Sequence, residues 1–269
     1  MRFNGGRRLQ RKLGQNFLIC EDIVKIMAAY GKGRKVIEIG AGTGILTQQL
    51  AQQADKVLAI EFDKELCNEL KKLSYPNLHI ICNDFFSVKE TEFEDFDIVI
   101  ANIPYNLSSK ILFWLLLHDL EAVLCVQKEF AEHMLAKPSD KKYSKLSVFS
   151  QLSFFIEKVL NIPASCFSPM PSVDSILLHI KRKNFIDSEI LKYIRMLMEH
   201  KKKEVRNAII DSHVKLGISK AEAKELAARL NYKDRVFKLN PTEILNIAKS
   251  IKDICKAKKE KNQEAEFHA

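Results

Sequence analysis

The feature that most constrains the fold is an alternation of short apolar runs with longer helical stretches through the first half of the chain. The runs are four or five residues long and nearly all apolar, which is typical of strands covered on both faces. Residues 45–53 and 64–73, between the runs, have the pattern of helices. This alternation predicts an α/β fold with a doubly wound parallel sheet. The five runs are 36–39, 57–60, 78–82, 97–101 and 122–126.

The pattern changes in the second part of the chain. Two more β-type runs, 154–160 and 175–181, flank a Pro-rich loop at 163–171, which predicts an antiparallel hairpin at the sheet edge. Amphipathic helical patterns then follow one another, and Pro241 marks the first turn of the last one. The helical segments are 188–200, 203–216, 219–230 and 241–255. We therefore expect an α/β domain at 1–183, a small all-helical domain at 184–255 and a frayed polar tail at 256–269.

Composition excludes several classes of protein. The longest apolar run, residues 111–117, is far shorter than the ~20 residues that span a bilayer, and no secretory pattern lies near the start, so we expect no membrane partner. The six cysteines are at least 15 residues apart, so there is no Cys-x-x-Cys metal spacing. From this spacing we expect no metal site. Most of the cysteines lie in apolar surroundings, so we expect reduced thiols and a cytoplasmic protein.

The net charge of +9 is unevenly distributed along the chain. Residues 1–180 contain 21 basic and 21 acidic side chains, whereas residues 181–269 contain 22 and 13. The first twelve residues form a basic arm with five Lys or Arg side chains and no acidic one. This distribution indicates a polyanionic partner bound by the arm and the helical domain. The alternative is that the lysines form solvated helix faces.

A glycine-rich turn follows the first apolar run, with Gly40, Gly42 and Gly44 at the start of a helix. Glycines allow close approach of a ligand, and the N–H groups of the helix start are donors. A dinucleotide fingerprint requires its third glycine at position 45, where this chain has Ile45. The spacing instead resembles the S-adenosylmethionine loop of class I methyltransferases. A plain tight turn has the same letters and is the alternative.

Acidic residues end the next two runs. Glu61 lies 21 residues after Gly40, where a carboxylate can accept both ribose hydroxyls of an adenosyl group. Asp84, after Asn83, can accept a hydrogen bond from the adenine amino group of the same cofactor. Each acid alone could be a solvated residue at a strand end. Three signals on successive strands favour a cofactor site.

Asn102, Ile103, Pro104 and Tyr105 follow the fourth run and resemble the Asn-Pro-Pro-Tyr signature of amino-directed methyltransferases. An exocyclic adenine amine is a poor nucleophile because its lone pair is delocalised into the ring. Two acceptors, the Asn102 side-chain oxygen and the Ile103 carbonyl, would favour the lone-pair-localised form. Pro104 would hold that carbonyl inward, and Tyr105 offers a ring face for stacking. The alternative is a strand-end turn in which Asn102 caps the next helix.

A looped-out base needs a second wall. Phe167, held between prolines in the segment 163–171, is the candidate for that wall. The alternative is an ordinary core phenylalanine.

Seven motifs in order along residues 9–250 resemble the ribosomal RNA adenine dimethyltransferase family, and within it the small-subunit branch. The small-subunit branch usually has Leu at position 103, whereas this chain has Ile103, a residue that is frequent there in the large-subunit branch. The segments 143–147 and 200–207, however, resemble the small-subunit branch. The motifs are 13–18, 38–44, Glu61, Asn83 with Asp84, 102–105, 143–147 and 167–171.

The resemblance implies a class I methyltransferase fold and S-adenosylmethionine as cofactor. It implies that Asn16 and Leu18 close the cofactor pocket, and that Gly40, Gly42, Glu61, Asp84 and Asn102 contact the cofactor. The implied activity is N6-dimethylation of two adjacent adenosines in the 3′-terminal hairpin loop of small-subunit ribosomal RNA, on the immature subunit, by a cytoplasmic monomer. Two alternatives stay open: a large-subunit adenine-N6 methylase, and a non-catalytic RNA-binding assembly or transcription factor on the same scaffold.

Overall fold

The computed structural model describes residues 16–267 of the chain, and their side chains as far as residue 257. The basic arm at 1–12 and the first three residues of the motif 13–18 lie outside the described residues. The chain divides into two compact units. One contains the described residues up to Ala131 together with Phe155–Arg182, and the other contains Glu132–Phe154 and the residues from Lys183 onward.

The first unit contains nine strands among the described residues: β1 Phe17–Leu18, β2 Lys35–Ile39, β3 Lys56–Glu61, β4 Leu78–Cys82, β5 Ile98–Asn102, β6 Glu121–Gln127, β7 Phe154–Ile162, β8 Phe167–Ser168 and β9 Ser175–Arg182. Seven of them form one sheet with the order β4-β3-β2-β5-β6-β9-β7, and β1 forms a separate pair with β8. Strands β2 to β6 are parallel, and β9 pairs antiparallel with β6.

Five helices and several 3-10 turns connect these strands. Each βα connection returns the chain to the same edge, so the carboxyl ends of the parallel strands lie together. The helices are α1 Glu21–Ala29, α2 Ile45–Ala51, α3 Lys64–Leu70, α4 Ser108–Leu115 and α5 Lys128–Leu135, the last of which ends in the second unit. The 3-10 turns are Phe85–Ser87, Glu90–Glu92, Tyr105–Leu107 and Ala164–Cys166.

The central strands are buried on both faces, which explains why their sequence shows apolar runs rather than alternation. The order reverses at β2, which pairs with β3 on one side and β5 on the other. In doubly wound sheets, ligands bind at the carboxyl ends of the strands beside this switch point. The predicted doubly wound α/β fold and its five parallel strands are confirmed.

The second unit is helical, as the sequence predicts, but it also contains residues 132–154, which the boundary at 183 places in the first domain. The predicted helix at 203–216 is two helices interrupted at Ser212, and the last helix continues into the segment expected to be a frayed tail. Its helices are α6 Lys145–Ser153, α7 Ser188–Glu199, α8 Val205–Asp211, α9 His213–Leu216, α10 Lys220–Leu230 and α11 Pro241–Phe267, with a 3-10 turn at Val236–Lys238.

The segments 143–147 and 200–207 have structural roles inside this second unit. Tyr143 is fully buried, and its hydroxyl donates to the Leu239 carbonyl at 2.9 Å. Lys201 donates its ammonium to the Tyr143 carbonyl at 2.6 Å, and Ser147 forms a capping box with Ser144 at the start of α6. These contacts give Tyr143, Ser147 and Lys201 structural roles within the second unit.

The cysteine prediction is wrong for four of the six residues. Cys20 is joined to Cys166 and Cys67 to Cys82, with Cα–Cα distances of 5.0 and 5.7 Å, whereas Cys125 and Cys255 are buried thiols outside any disulfide. Sequence spacing could not reveal this, because the fold brings together partners up to 146 residues apart. A cytoplasmic location therefore loses the support that reduced cysteines would have given it.

Within the described residues, no helix is both long enough and apolar enough to cross a bilayer.

Candidate active site

A cavity of about 240 Å³ opens at the carboxyl ends of β2, β3, β4 and β5. It brings together most of the residues that the sequence singled out, from four different strand ends. Its lining residues are Asn16, Phe17, Ile39, Gly40, Gly42, Ile60, Glu61, Phe62, Asn83, Asp84, Phe85, Asn102, Ile103, Pro104, Tyr105, Asn106 and Leu107.

The glycine turn between β2 and α2 adopts a backbone that other residues rarely take. Gly40, Gly42 and Gly44 have φ angles of +72°, +57° and +80°. A Cβ on Gly42 would lie 3.0 Å from two ring carbons of Phe17, and a Cβ on Gly44 would lie 2.8 Å from a methyl group of Leu70. The turn therefore requires glycine for conformation and for space, and it leaves backbone exposed to the cavity at Gly40 and Gly42.

Glu61 is a buried carboxylate with spare acceptor capacity. One oxygen accepts from the Gly42 N–H at 2.8 Å and the other from the Asp63 N–H at 2.9 Å. Burial raises the pKa of Glu61, and these two backbone donors oppose the rise. An ionised carboxylate has about four acceptor positions, so each oxygen can accept one further hydrogen bond from a ligand in the cavity.

Asp84 and Asn83 follow β4 on the far side of the cavity. The Asp84 carboxylate caps the 3-10 turn Phe85–Ser87 by accepting from the Phe86 N–H at 3.0 Å. The Asn83 side chain accepts from the Asp84 N–H at 2.9 Å. Both side chains are exposed at the cavity wall, so the second carboxylate oxygen of Asp84 can accept from a bound ligand.

The orientation of the Asn102 amide is set by one backbone oxygen. Its Nδ2 donates to the Asn16 carbonyl at 2.9 Å. A carbonyl can only accept, so the amide must present its NH₂ end to Asn16. The Asn102 oxygen is thereby directed away from Asn16 and is available as an acceptor.

The Tyr105 side chain is positioned by a hydrogen bond to the buried hydroxyl of Ser175. The Tyr105 Oη and the Ser175 Oγ lie 3.0 Å apart, and Ser175 on β9 is fully buried. Burial raises the pKa of the Tyr105 hydroxyl, which therefore stays neutral near pH 7. Pro104 packs beside Gly40, so residues 102–105 and the glycine turn form adjacent walls of one cavity.

Two predicted site residues, Leu18 and Phe167, do not line the cavity. They lie opposite each other in the β1–β8 pair, and both are buried in the hydrophobic core, at 4% and 2% exposure. Residues directly opposite in an antiparallel pair share a face, and in this pair the face of Leu18 and Phe167 is turned to the core. The predicted second wall at Phe167 is therefore not present in this structure, and Phe167 fits the alternative of a core phenylalanine.

Sequence reasoning also missed aromatic residues of the cavity wall. Phe17 faces the cavity because successive side chains of a strand point to opposite sides, and its neighbour Leu18 faces the core. Phe62 directly follows Glu61 and is 63% exposed. A large apolar residue after an acidic strand end is an unusual signal and could have identified it.

One buried acid lies beside the cavity rather than in its wall. Glu38 on β2 is 2% exposed, and among the described residues its Oε2 has no hydrogen-bond partner. Burial raises the pKa of Glu38 to about 8, against an opposing contribution from the Thr47 hydroxyl and with a reinforcing one from the charge of Glu61. At neutral pH, Glu38 is therefore mostly protonated.

The chemistry of the wall discriminates between nucleotide ligands. The described lining residues include two carboxylates, apolar side chains and exposed glycine backbone, but no Lys or Arg. A phosphate-bearing ligand would add negative charge to a wall that already holds Glu61 and Asp84, and no basic side chain among the described lining residues would balance it. An adenosyl cofactor without phosphate, such as S-adenosylmethionine, fits this set of donors and acceptors. No group of His, Cys, Asp and Glu among the described residues is arranged to hold a metal ion.

Comparison with known proteins agrees with this geometry. The family model for ribosomal RNA adenine dimethylase matches residues 6–253. The chain is 38% identical to a probable ribosomal RNA small subunit methyltransferase A from Thermococcus onnurineus, over 92% of this chain and 94% of that protein. A crystal structure of a dimethyladenosine transferase from Plasmodium falciparum superimposes with a TM-score of 0.72 at 30% identity, over 86% of this chain and 96% of that one.

A 23S rRNA methyltransferase, ErmE, superimposes with a TM-score of 0.61 at 22% identity, over 88% of this chain and all of that one, which shows a shared fold. These matches confirm the class I methyltransferase fold with a helical C-terminal domain. The family match covers both units of the structure. The chain belongs to the ribosomal RNA adenine dimethylase family.

Proposed function

We propose that this protein transfers methyl groups from S-adenosylmethionine to N6 of two adjacent adenosines in the 3′-terminal hairpin loop of small-subunit ribosomal RNA. The observation that carries the proposal is one cavity in which the acceptors Glu61 and Asp84 lie across from residues 102–105. Membership of the family supports the reaction, and the names of relatives such as that from Thermococcus onnurineus support the small-subunit substrate.

Glu61, Asp84 and the glycine turn would hold the cofactor. Glu61 has two free acceptor positions, which suit two ribose hydroxyls, and Asp84 can accept from an adenine amino group. Gly40 and Gly42 would contact the cofactor through their backbone, and Asn16 would close the cavity above it. When bound, the cofactor supplies an electrophilic methyl group on a sulfonium sulfur.

Residues 102–105 would prepare the substrate amine. The Asn102 oxygen and the Ile103 carbonyl would accept from the two N6 protons and so localise the nitrogen lone pair. Pro104 limits the backbone conformation at Ile103, and the Tyr105 ring would stack on the base. The residues act by preorganised hydrogen bonding and alignment, so no strong base is required.

The helical unit and the arm at 1–12 would bind RNA phosphates, because residues 181–269 contain 22 basic and 13 acidic side chains. A single-stranded loop suits this enzyme because its bases are already unstacked. We further propose that the protein acts in the cytoplasm, as a monomer, on the immature small subunit. RNA binding should weaken steeply as the salt concentration rises.

Transfer of labelled methyl groups to immature small subunits tests the function. We expect two dimethylated adenosines, located by primer extension in the 3′-terminal hairpin loop. Large subunits and their rRNA serve as the matched control. Methylation of the large subunit alone would assign the protein to the other branch, and RNA binding without transfer would make it a non-catalytic factor.

Replacing Glu61 by alanine tests the cofactor site. We expect cofactor affinity to fall by at least about 100-fold, because two hydrogen bonds to a charged group are lost and each contributes about 1.5–3 kcal/mol. Calorimetric titration with S-adenosylmethionine measures the change. Glu94→Ala, at an exposed position of the same unit, is the control. An unaltered affinity in Glu61→Ala would refute the ribose role.

A further inference from the structure

Residues 16–20 form a strap that runs over the cavity and ends in a disulfide. Asn16 and Phe17 line the cavity, and Cys20 is bonded to Cys166, which precedes β8. The Ile19 N–H donates to the Cys166 carbonyl at 2.8 Å, so the strap is tied to the same residue twice. The disulfide therefore fixes the position of a segment whose first residue contacts Asn102.

The contact with Asn102 is unusual because it uses a backbone carbonyl. The Asn16 oxygen accepts from Asn102 Nδ2 at 2.9 Å across 86 residues of sequence. An amide side chain can rotate so that its oxygen and nitrogen exchange places, and an acceptor-only neighbour selects one of the two orientations. If the strap moves away, nothing in this contact keeps the Asn102 oxygen turned away from Asn16.

Other contacts hold the strap only locally. Phe17 packs its ring against the backbone of Gly42, and Leu18 lies in the core. The β1–β8 pair is only two residues long on each side, Phe17 with Ser168 and Leu18 with Phe167. A two-residue pair is marginal by itself. The covalent link adds to the burial of Leu18 a restraint that does not open when the two-residue pair fluctuates.

We propose that the Cys20–Cys166 disulfide positions Asn102: it keeps the Asn16 carbonyl against the Asn102 NH₂ group and so directs the Asn102 oxygen to the substrate amine. The proposal rests on the proposed function for the role of that oxygen. Cys20 and Cys166 touch no reacting atom and are positioning residues. Loss of the link should lower the rate of transfer while the cofactor, held mainly by Glu61, Asp84 and the glycine turn, still binds.

The test compares the oxidised protein with Cys20→Ser, with Cys166→Ser and with reduced wild type. Thiol titration of the unfolded oxidised chain should count two reactive thiols, those of Cys125 and Cys255, which are outside the disulfides. We expect kcat for methyl transfer to fall about five- to tenfold on loss of the link, the factor of one typical hydrogen bond, with a change below twofold in cofactor Kd. Cys82→Ser, which removes the other disulfide, is the matched control and should keep its kcat.

A spectroscopic readout separates this proposal from the proposed function. In ¹⁵N-labelled protein, the Asn102 side-chain amide, assigned by its absence in Asn102→Ala, should have one proton protected from solvent exchange. That protection should be lost in Cys20→Ser and on reduction, but kept in Cys82→Ser. The proposal would be overturned if amide protection and kcat were unchanged in the absence of the Cys20–Cys166 disulfide. A parallel loss of kcat and cofactor affinity would also overturn it, as would a count of six thiols in the purified chain. If the wild type transfers no methyl groups, the proposed function fails and the amide protection alone decides the positioning.

Discussion

Replacing Asn102 by alanine is expected to lower the rate of methyl transfer by about 10²–10³-fold, the range found when one preorganised hydrogen-bonding group is removed from an active site. The structure gives the reason. The Asn102 amide is oriented by the Asn16 carbonyl, and its oxygen is available on the other side as an acceptor. Alanine removes that acceptor, so the substrate nitrogen keeps its lone pair delocalised into the ring.

Cofactor affinity should change far less in Asn102→Ala, by no more than about fivefold, because only one neutral contact near Asn16 is lost. Single-turnover kinetics with excess enzyme measures the rate of transfer, and calorimetry measures cofactor binding. Asn68→Ala, at an exposed position of α3, is the control for the same change in size. Turnover at the wild-type rate in Asn102→Ala would remove Asn102 from the chemistry.

Replacing Glu38 by glutamine is expected to stabilise the protein at pH 7.5 by about 2–4 kcal/mol. Glu38 has a pKa of about 8 in the folded chain, whereas the ordinary pKa of a glutamate side chain is 4.5. Between these two values the folded state binds one more proton than the unfolded state, so the free energy of unfolding decreases by about 1.4 kcal/mol per pH unit as pH rises. Glutamine cannot titrate and has no such cost.

Urea unfolding of both proteins at pH 5, 6.5, 8 and 9 measures this effect. The difference in the free energy of unfolding between Glu38→Gln and the wild type should be small near pH 5, increase up to about pH 8 and stay constant above that pH. Glu94→Gln, at an exposed position, is the matched control. Equal pH slopes in the wild type and Glu38→Gln would show that Glu38 is not the group responsible. The cost of burying this acid next to the glycine turn fits the general observation that local rules are broken near functional sites.

Local sequence was sufficient to predict the site residues that lie at the ends of strands. Glu61, Asp84 and Asn102 each come directly at or after the end of a parallel strand, and such ends lie at the same edge of a sheet. The apolar runs fixed the strands, because strands buried on both faces must be apolar throughout. The order of the motifs along the chain therefore predicted both the sheet and most of the cavity wall.

Only the tertiary structure decided which side chains face the cavity and which chain segments meet. A shift of one residue in a strand turns a side chain to the opposite face, so sequence could not separate Phe17, in the cavity, from Leu18, in the core. Phe167 was buried by its pairing with Leu18, and Cys20 reached Cys166 across 146 residues. What the sequence by itself determined is the sheet and the residues at its strand ends, because both follow from local periodicity. The facing of side chains, the disulfides and the Asn16 contact to Asn102 depend on long-range register, which no local pattern encodes.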